Sequence, residues 1–131
     1  MGENPPSPSE AIRVLYLVLG AEGIKIVPAY VAQDLANVRR AHTDDAEFSA
    51  AILAIAKELR IAHASPASYG VAIEHELAGW RRSKFSSTQS SDAHLRIVFR
   101  PAKPSGMEVL AFGDRDFPET VYFTAKNRLR R

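Results

Sequence analysis

Hydrophobic residues recur every three or four positions in the middle of the chain, which is the spacing of an amphipathic helix. A first run, from Pro28 to Arg40, begins with a proline suited to a helix first turn and carries on one face Val31, Leu35 and Val38. A second run starts near Thr43, which is followed by acids, and stops before Ser65 and Pro66. Its apolar face consists of Phe48, Ile52, Ile55, Ala56 and Leu59. The pattern predicts two consecutive helices that pack on a sheet.

Runs of β-branched and alternating residues predict strands on both sides of this helix pair. At the start, Ile12 to Leu19 is expected to be a strand that turns at Gly20 to Gly23 into Ile24 to Val27. Later strands are expected at Trp80 to Phe85, Leu95 to Arg100 and Met107 to Phe112, and a short helix at Thr120 to Leu129. Polar Ser86 to Ala93 is expected to be a flexible loop. The expected fold is α+β, with an antiparallel sheet against an N-terminal helix hairpin and the order β-α-α-β-β-β-α.

Length and composition favour one domain. The 131 residues, 46% of them hydrophobic, suffice for a single core. Residues 1–10 begin with a proline-rich segment and are expected to be a disordered tail, which leaves 11–131 as the domain. The longest apolar runs are too short to span a membrane, and no targeting segment is evident, so no membrane partner is expected.

The chain has no cysteine, which excludes disulfides, a thiolate nucleophile and cysteine-based zinc sites, and favours the cytoplasm. Its charge is unevenly distributed. Residues 1–78 carry 6 Lys and Arg against 10 Asp and Glu, a net −4, and residues 79–131 carry 11 against 5, a net +6. A basic half suggests a polyanionic or acidic partner, although a solvated basic surface explains the charge equally well.

Alternation within Leu95 to Arg100 separates its side chains into two sets. Leu95, Ile97 and Phe99 are expected to cover the helices. Arg96 and Arg100 are then expected to face outward, away from the core.

Three segments near the C-terminus, LRIVFR, VLAFGDR and VYFTAKNRL, together resemble the RelE/ParE toxin superfamily, small toxins of bacterial toxin–antitoxin operons. The resemblance extends from about Ile24 to the C-terminus. It implies a type II toxin, most simply an endoribonuclease that cleaves ribosome-bound mRNA, with a cognate antitoxin as its partner. It also implies that Arg96, Arg115 and Tyr122 lie together on a sheet face that holds RNA.

Ribonucleases of this kind need no metal or cofactor, because RNA carries its own nucleophile, the 2′-hydroxyl. The family places two basic residues two positions apart on a strand, and Arg82 and Lys84 have that spacing. By this resemblance Lys84 is a candidate base or phosphate ligand and Arg82 a phosphate contact. Arg96 is a candidate stabiliser of the transition state, Arg115 a candidate acid or stabiliser, and Tyr122 a stacking platform or proton donor.

Further RNA contacts are expected from Arg81, Arg82, Arg100 and Arg128. Structural alternatives remain open for each group. The Arg82 and Lys84 side chains could be a solvated strand face, Arg96 could pair with Glu108, and Arg115 could pair with Asp114 or Asp116. Tyr122 and Trp80 could be packing residues, and Arg128, Arg130 and Arg131 a solvated tail.

One residue departs from the family pattern. Asp114 stands between the glycine and Arg115, where family members commonly have a basic residue, and Asp116 follows. Two acids oppose phosphate binding. They leave room for a ParE-like inhibitor of DNA gyrase, which cleaves no RNA, or for a binding module that kept the fold and lost toxicity.

The remaining polar residues suggest no other chemistry. The four histidines, His42, His63, His75 and His94, lack metal-ligand spacing in the sequence, so no metal site is expected.

Overall fold

The computed structural model describes residues 6–87, 92–115 and 120–130. In chain order, the elements are α1 (Pro8–Leu19), β1 (Ile24–Lys25), α2 (Pro28–Ala41), α3 (Asp45–Ala64), β2 (Val71–Ala72), β3 (Arg81–Phe85), β4 (Leu95–Pro101), β5 (Met107–Asp114) and α4 (Val121–Leu129). The strands form a five-stranded sheet in the order β1-β5-β4-β3-β2. The fold is therefore α+β, and the predicted helix pair and later strands are confirmed.

The first helix overturns the expectation for the start of the chain. α1 occupies Pro8–Leu19, where a strand was expected from Ile12 and a disordered tail up to residue 10. The Ser7 side chain accepts a hydrogen bond from the backbone N–H of Glu10, so the helix is capped. Leu15 is fully buried on the face that packs against α3. The helical spacing of the buried residues therefore decided the structure of this segment, despite its β-branched composition. Residues 1–5 of the expected tail lie outside the described part of the chain.

The sheet is mixed, whereas an antiparallel sheet was expected. β1 runs parallel to β5, and the other neighbouring strands are antiparallel. The junction depends on a close approach of two glycines: Gly106 has φ +95°, and a Cβ there would lie 2.2 Å from the Gly23 carbonyl oxygen. The Met107 N–H donates to that same oxygen at 2.7 Å. β2 is an additional strand, outside the segments expected to be strands.

Both faces of the central strand β4 are covered. Leu95, Ile97 and Phe99 belong to the core beneath the first three helices, as alternation predicts. On the opposite face, Val98 packs in a second apolar cluster with Val121 and other residues of the α4 side. The face of the sheet turned away from the first three helices is therefore also covered along its middle, because α4 packs across it.

Candidate nucleic-acid interface

Four of the residues expected in an RNA site share the face of the sheet that α4 covers. In the ladder, Arg82 pairs with Val98 and Lys84 pairs with Arg96, so these side chains have the same parity as the second apolar cluster. Tyr122 packs against that cluster from α4. The structure thus brings Arg82, Lys84, Arg96 and Tyr122 to the side of the sheet that α4 covers, whereas Arg115 follows the end of β5.

Arg82 and Tyr122, which are 40 residues apart, meet directly. A guanidinium N–H of Arg82 donates to the Tyr122 hydroxyl at 3.3 Å, and the guanidinium carbon lies 6.0 Å from the centre of the tyrosine ring. Both side chains are partly exposed, and Lys84 is exposed. The contact holds an arginine and an aromatic ring side by side at an accessible edge of α4.

A groove of about 500 Å³ opens beside this contact. We call it the α4 groove; its lining residues are Val71, Ala72, Ile73, Glu74, His75, Leu77, Arg82, Tyr122 and Lys126. Two potential cations, Arg82 and Lys126, face one acid, Glu74, and an exposed histidine. A groove with this composition fits an anionic ligand that also offers a flat ring for stacking.

Two residues of the α4 groove were missed by sequence reasoning. Lys126 lies four positions after Tyr122, so helical spacing places both on one face of α4 and could have identified it. His75 begins a short 3-10 turn, His75–Leu77, with a positive φ of 60°. A left-handed backbone at a residue other than glycine is uncommon, and it is found disproportionately at functional sites. Nothing in the sequence pattern signals that conformation.

The expectation that Arg96 faces solvent is wrong. Its side chain is only 4% exposed, and one guanidinium nitrogen donates to the backbone carbonyls of Ala93 and Leu95. The residue has the predicted parity, but the chain preceding β4 closes over it. In this arrangement the guanidinium stabilises the backbone where the chain enters β4. It is not exposed to bind a phosphate.

Arg128, expected to bind RNA or to belong to a solvated tail, lies in the interior instead. It forms a bidentate ion pair with Asp34 at 2.7 and 2.9 Å, and the two side chains are 2% and 4% exposed. Arg128 also donates to the Leu110 carbonyl, and the second oxygen of the Asp34 contact accepts from the Phe112 N–H. Burial raises the pKa of Asp34, while Arg128 and the Phe112 N–H oppose that rise. Arg128 therefore joins α4 to α2 and β5.

The two other arginines expected to bind RNA have partners within the fold. Arg81 donates to the carbonyls of Tyr69 and Gly70 at 2.7 and 3.0 Å. Arg100 forms an ion pair with Glu108 at 2.9 Å and stacks on Trp80, 4.2 Å from the ring centre. The acid considered as a partner of Arg96 thus belongs to Arg100, and Trp80 is a buried packing residue.

Arg115 follows the end of β5, is exposed, and is not among the residues that line the α4 groove. Its backbone N–H donates to the His94 carbonyl at 2.7 Å. Asp116 and Arg131 lie outside the described residues, as do residues 88–91 of the expected flexible loop. Asp114 is turned toward two histidines, His42 and His94, that the sequence separates by 52 positions.

Comparison with protein-family models, curated proteins and solved structures found no significant match. Among the described residues, every helix is too short or too polar to cross a membrane.

Proposed function

We propose that this protein is a RelE/ParE-like toxin of a type II toxin–antitoxin pair, acting in the cytoplasm as an endoribonuclease on ribosome-bound mRNA. The observation that carries the proposal is the convergence of Arg82 and Tyr122 at the α4 groove. Residues from β3 and α4 meet on the sheet face that the resemblance assigns to RNA. The groove adds Lys126 and His75 to the set.

The chemistry of RNA cleavage assigns roles to these groups. Cleavage requires removal of the 2′-hydroxyl proton, protonation of the leaving 5′-oxygen and neutralisation of the developing phosphate charge. Arg82 and Lys126 supply positive charge for the phosphate, and Tyr122 supplies a ring for base stacking. His75 is the proposed base or acid, because its imidazole lines the groove, is exposed, and can accept or donate a proton. Lys84, exposed along the same strand, extends the phosphate path.

The roles expected for two arginines change accordingly. Arg96 lies on the proposed RNA face, but its proposed role is to hold the backbone at the start of β4 and not to contact RNA. Arg115 is proposed only as a peripheral RNA contact, since it follows the end of β5 and is not among the residues that line the α4 groove. Arg128 is omitted from the proposed interface, because binding RNA would require breaking its buried pair with Asp34.

Induced expression in bacteria tests the proposal. The intact chain should halt protein synthesis and leave mRNA cut within coding regions. Arg82→Ala and His75→Gln should each lower the cleavage rate of a ribosome-bound mRNA by roughly a hundredfold, as loss of a positioned catalytic group commonly does. Lys57→Ala removes an equal charge from an exposed site on α3, across the sheet, and is the control.

Intact mRNA in arrested cells would contradict the ribonuclease proposal. If Arg82→Ala and His75→Gln remain folded in thermal melts and cleave as fast as Lys57→Ala, the α4 groove is not the active site.

A gyrase inhibitor is the second candidate, and the burial of Arg96 favours it. A toxin that cleaves no RNA needs no transition-state stabiliser on the sheet, and Arg96 is bound to backbone carbonyls. This reading predicts filamentous cells with DNA damage and intact mRNA. A folded binding module without toxicity predicts neither phenotype.

The proposed antitoxin carries an acidic segment complementary to the +6 half of the chain. Its affinity should fall as salt rises, because the contact is partly electrostatic. An affinity that is equal at low and high ionic strength would contradict an acidic partner.

A further inference from the structure

A cluster of two histidines and one aspartate joins three elements away from the α4 groove. His42 follows the C-terminus of α2, His94 precedes β4, and Asp114 ends β5. His42 Nε2 lies 3.0 Å from Asp114 Oδ2, and His94 Nδ1 lies 3.1 Å from the same oxygen. One ligand-type atom from each residue lies within 4.8 Å of both others.

These separations fit a metal centre. Two ligand atoms that are each about 2.0–2.1 Å from a tetrahedral zinc ion lie about 3.3 Å apart. The two nitrogen–oxygen distances are close to that value, and the two imidazole nitrogens lie within 4.8 Å of each other. Both imidazole nitrogens face a single carboxylate oxygen, so an ion between the three groups would replace two hydrogen bonds with three coordinate bonds.

The surroundings of the cluster resemble those of a built site. The three side chains are 14–15% exposed, so an ion could enter from solvent yet be largely shielded from it. The Ser87 hydroxyl lies 3.4 Å from His94 Nε2, the ring nitrogen that does not face Asp114. Metal-binding histidines commonly use their second nitrogen in this way, which fixes the ring orientation. Ser87 is itself buried.

We infer that His42, His94 and Asp114 bind a divalent transition-metal ion, with Zn²⁺ the best chemical match. Two imidazoles and one carboxylate suit zinc and its neighbours, whereas Mg²⁺ and Ca²⁺ prefer oxygen ligands. Three protein ligands leave one coordination position for water. The ion would fasten the C-terminus of α2 to β4 and β5. Asp114, the acid that departs from the toxin-family pattern, would serve as the carboxylate ligand.

Binding is tested with untagged, EDTA-treated protein and the metal alone. Titration with Zn²⁺ should show one equivalent bound, and added Zn²⁺ should raise the melting temperature with its concentration. Co²⁺ should give the intense visible d–d bands of a four-coordinate site, and Mg²⁺ should neither bind nor stabilise. His42→Gln and Asp114→Asn should weaken Zn²⁺ binding at least tenfold, and Ser87→Ala should weaken it less.

His63→Gln is the matched control, because it removes a partly exposed histidine outside the cluster. The inference is overturned if the intact chain binds no Zn²⁺, or if folded His42→Gln and Asp114→Asn bind it as tightly as His63→Gln. The titration of the intact chain decides the matter even if a variant fails to fold. Neither result depends on whether the protein cleaves RNA.

Discussion

Lys84 and Arg96 are direct partners in the β3–β4 ladder, yet Lys84 is exposed and Arg96 is 4% exposed. Two side chains on the same face of the sheet can therefore differ widely in their exposure to solvent. The Arg96 guanidinium donates to the carbonyls of Ala93 and Leu95, which hold it against the chain at the start of β4.

This difference predicts opposite outcomes for two alanine variants. Arg96→Ala should lower the free energy of unfolding by about 1–3 kcal/mol, because it leaves the Ala93 and Leu95 carbonyls without their guanidinium donor. Lys84→Ala, the control on the same face, should change it by about 0.5 kcal/mol or less. Urea unfolding measures both. Equal stability of the two variants would contradict the structural role of Arg96.

Two leucines on α1 test whether this helix belongs to the fold. Leu15 is fully buried and Leu17 is 71% exposed. Leu15→Ala should cost about 2–5 kcal/mol, because it removes packing against α3 and leaves a cavity. Leu17→Ala should be nearly neutral in the same thermal or urea unfolding experiment. A negligible effect at Leu15 would indicate that α1 does not pack as described.

The Asp34–Arg128 pair should show strong coupling in a double-mutant cycle. Arg128→Ala should cost about 3–5 kcal/mol, since it leaves a buried carboxylate without its cation. Replacing both residues with apolar ones of similar size should recover much of that loss. Arg130→Ala, which breaks the exposed pair with Glu76, should cost no more than about 1 kcal/mol. Denaturant titrations of the single and double variants give the coupling energy.

Alkaline pH should lower the free energy of unfolding, because the Tyr69 hydroxyl loses its proton. Its hydroxyl donates to buried Glu58 at 2.6 Å; partial burial and the Glu58 carboxylate raise the pKa of Tyr69 above its ordinary value of 10.0. The folded state thus holds the phenol proton more tightly than the unfolded chain. The resulting stabilisation is complete below about pH 10 and is lost as pH rises through the folded pKa.

Tyr69→Phe should remove this dependence. The stability advantage of the intact chain over Tyr69→Phe should be constant from pH 7 to 9 and shrink above 10, as measured by urea unfolding. Tyr16→Phe, at a 46% exposed position, should cost about 0.5 kcal/mol or less at pH 8. An advantage over Tyr69→Phe that grows with pH would contradict the assigned direction.

The helix pair and the strands β3, β4 and β5 were predictable because hydrophobic residues recur in each with the spacing of that type of element. α1 was not, since Ile12 to Leu19 satisfies both a β-rich composition and helical spacing, and only packing against α3 decides between them. The parallel pairing of β1 could not be predicted, because the sequence of a two-residue strand does not indicate the direction of the strand beside it.

The site was predictable to a similar extent. The spacing of Arg82 and Lys84 indicated a shared face, and Tyr122 was indicated by the resemblance. The burial of Arg96 and Arg128 could not be read from the sequence, because it depends on segments that close over them. The contact of His42, His94 and Asp114 likewise requires three distant segments to be folded first.

The ion pair of Asp34 and Arg128 also bears on the order of events during synthesis, since 94 positions separate its partners. Closing so long a loop carries an entropic cost that favours late formation, after local helices and hairpins exist. A ribosome making this chain has already released α2, with an acid that must be buried, long before the arginine that neutralises it is translated. The final packing of the sheet therefore waits until α4 has been synthesised, and the nascent chain has a period in which the α4 groove does not yet exist.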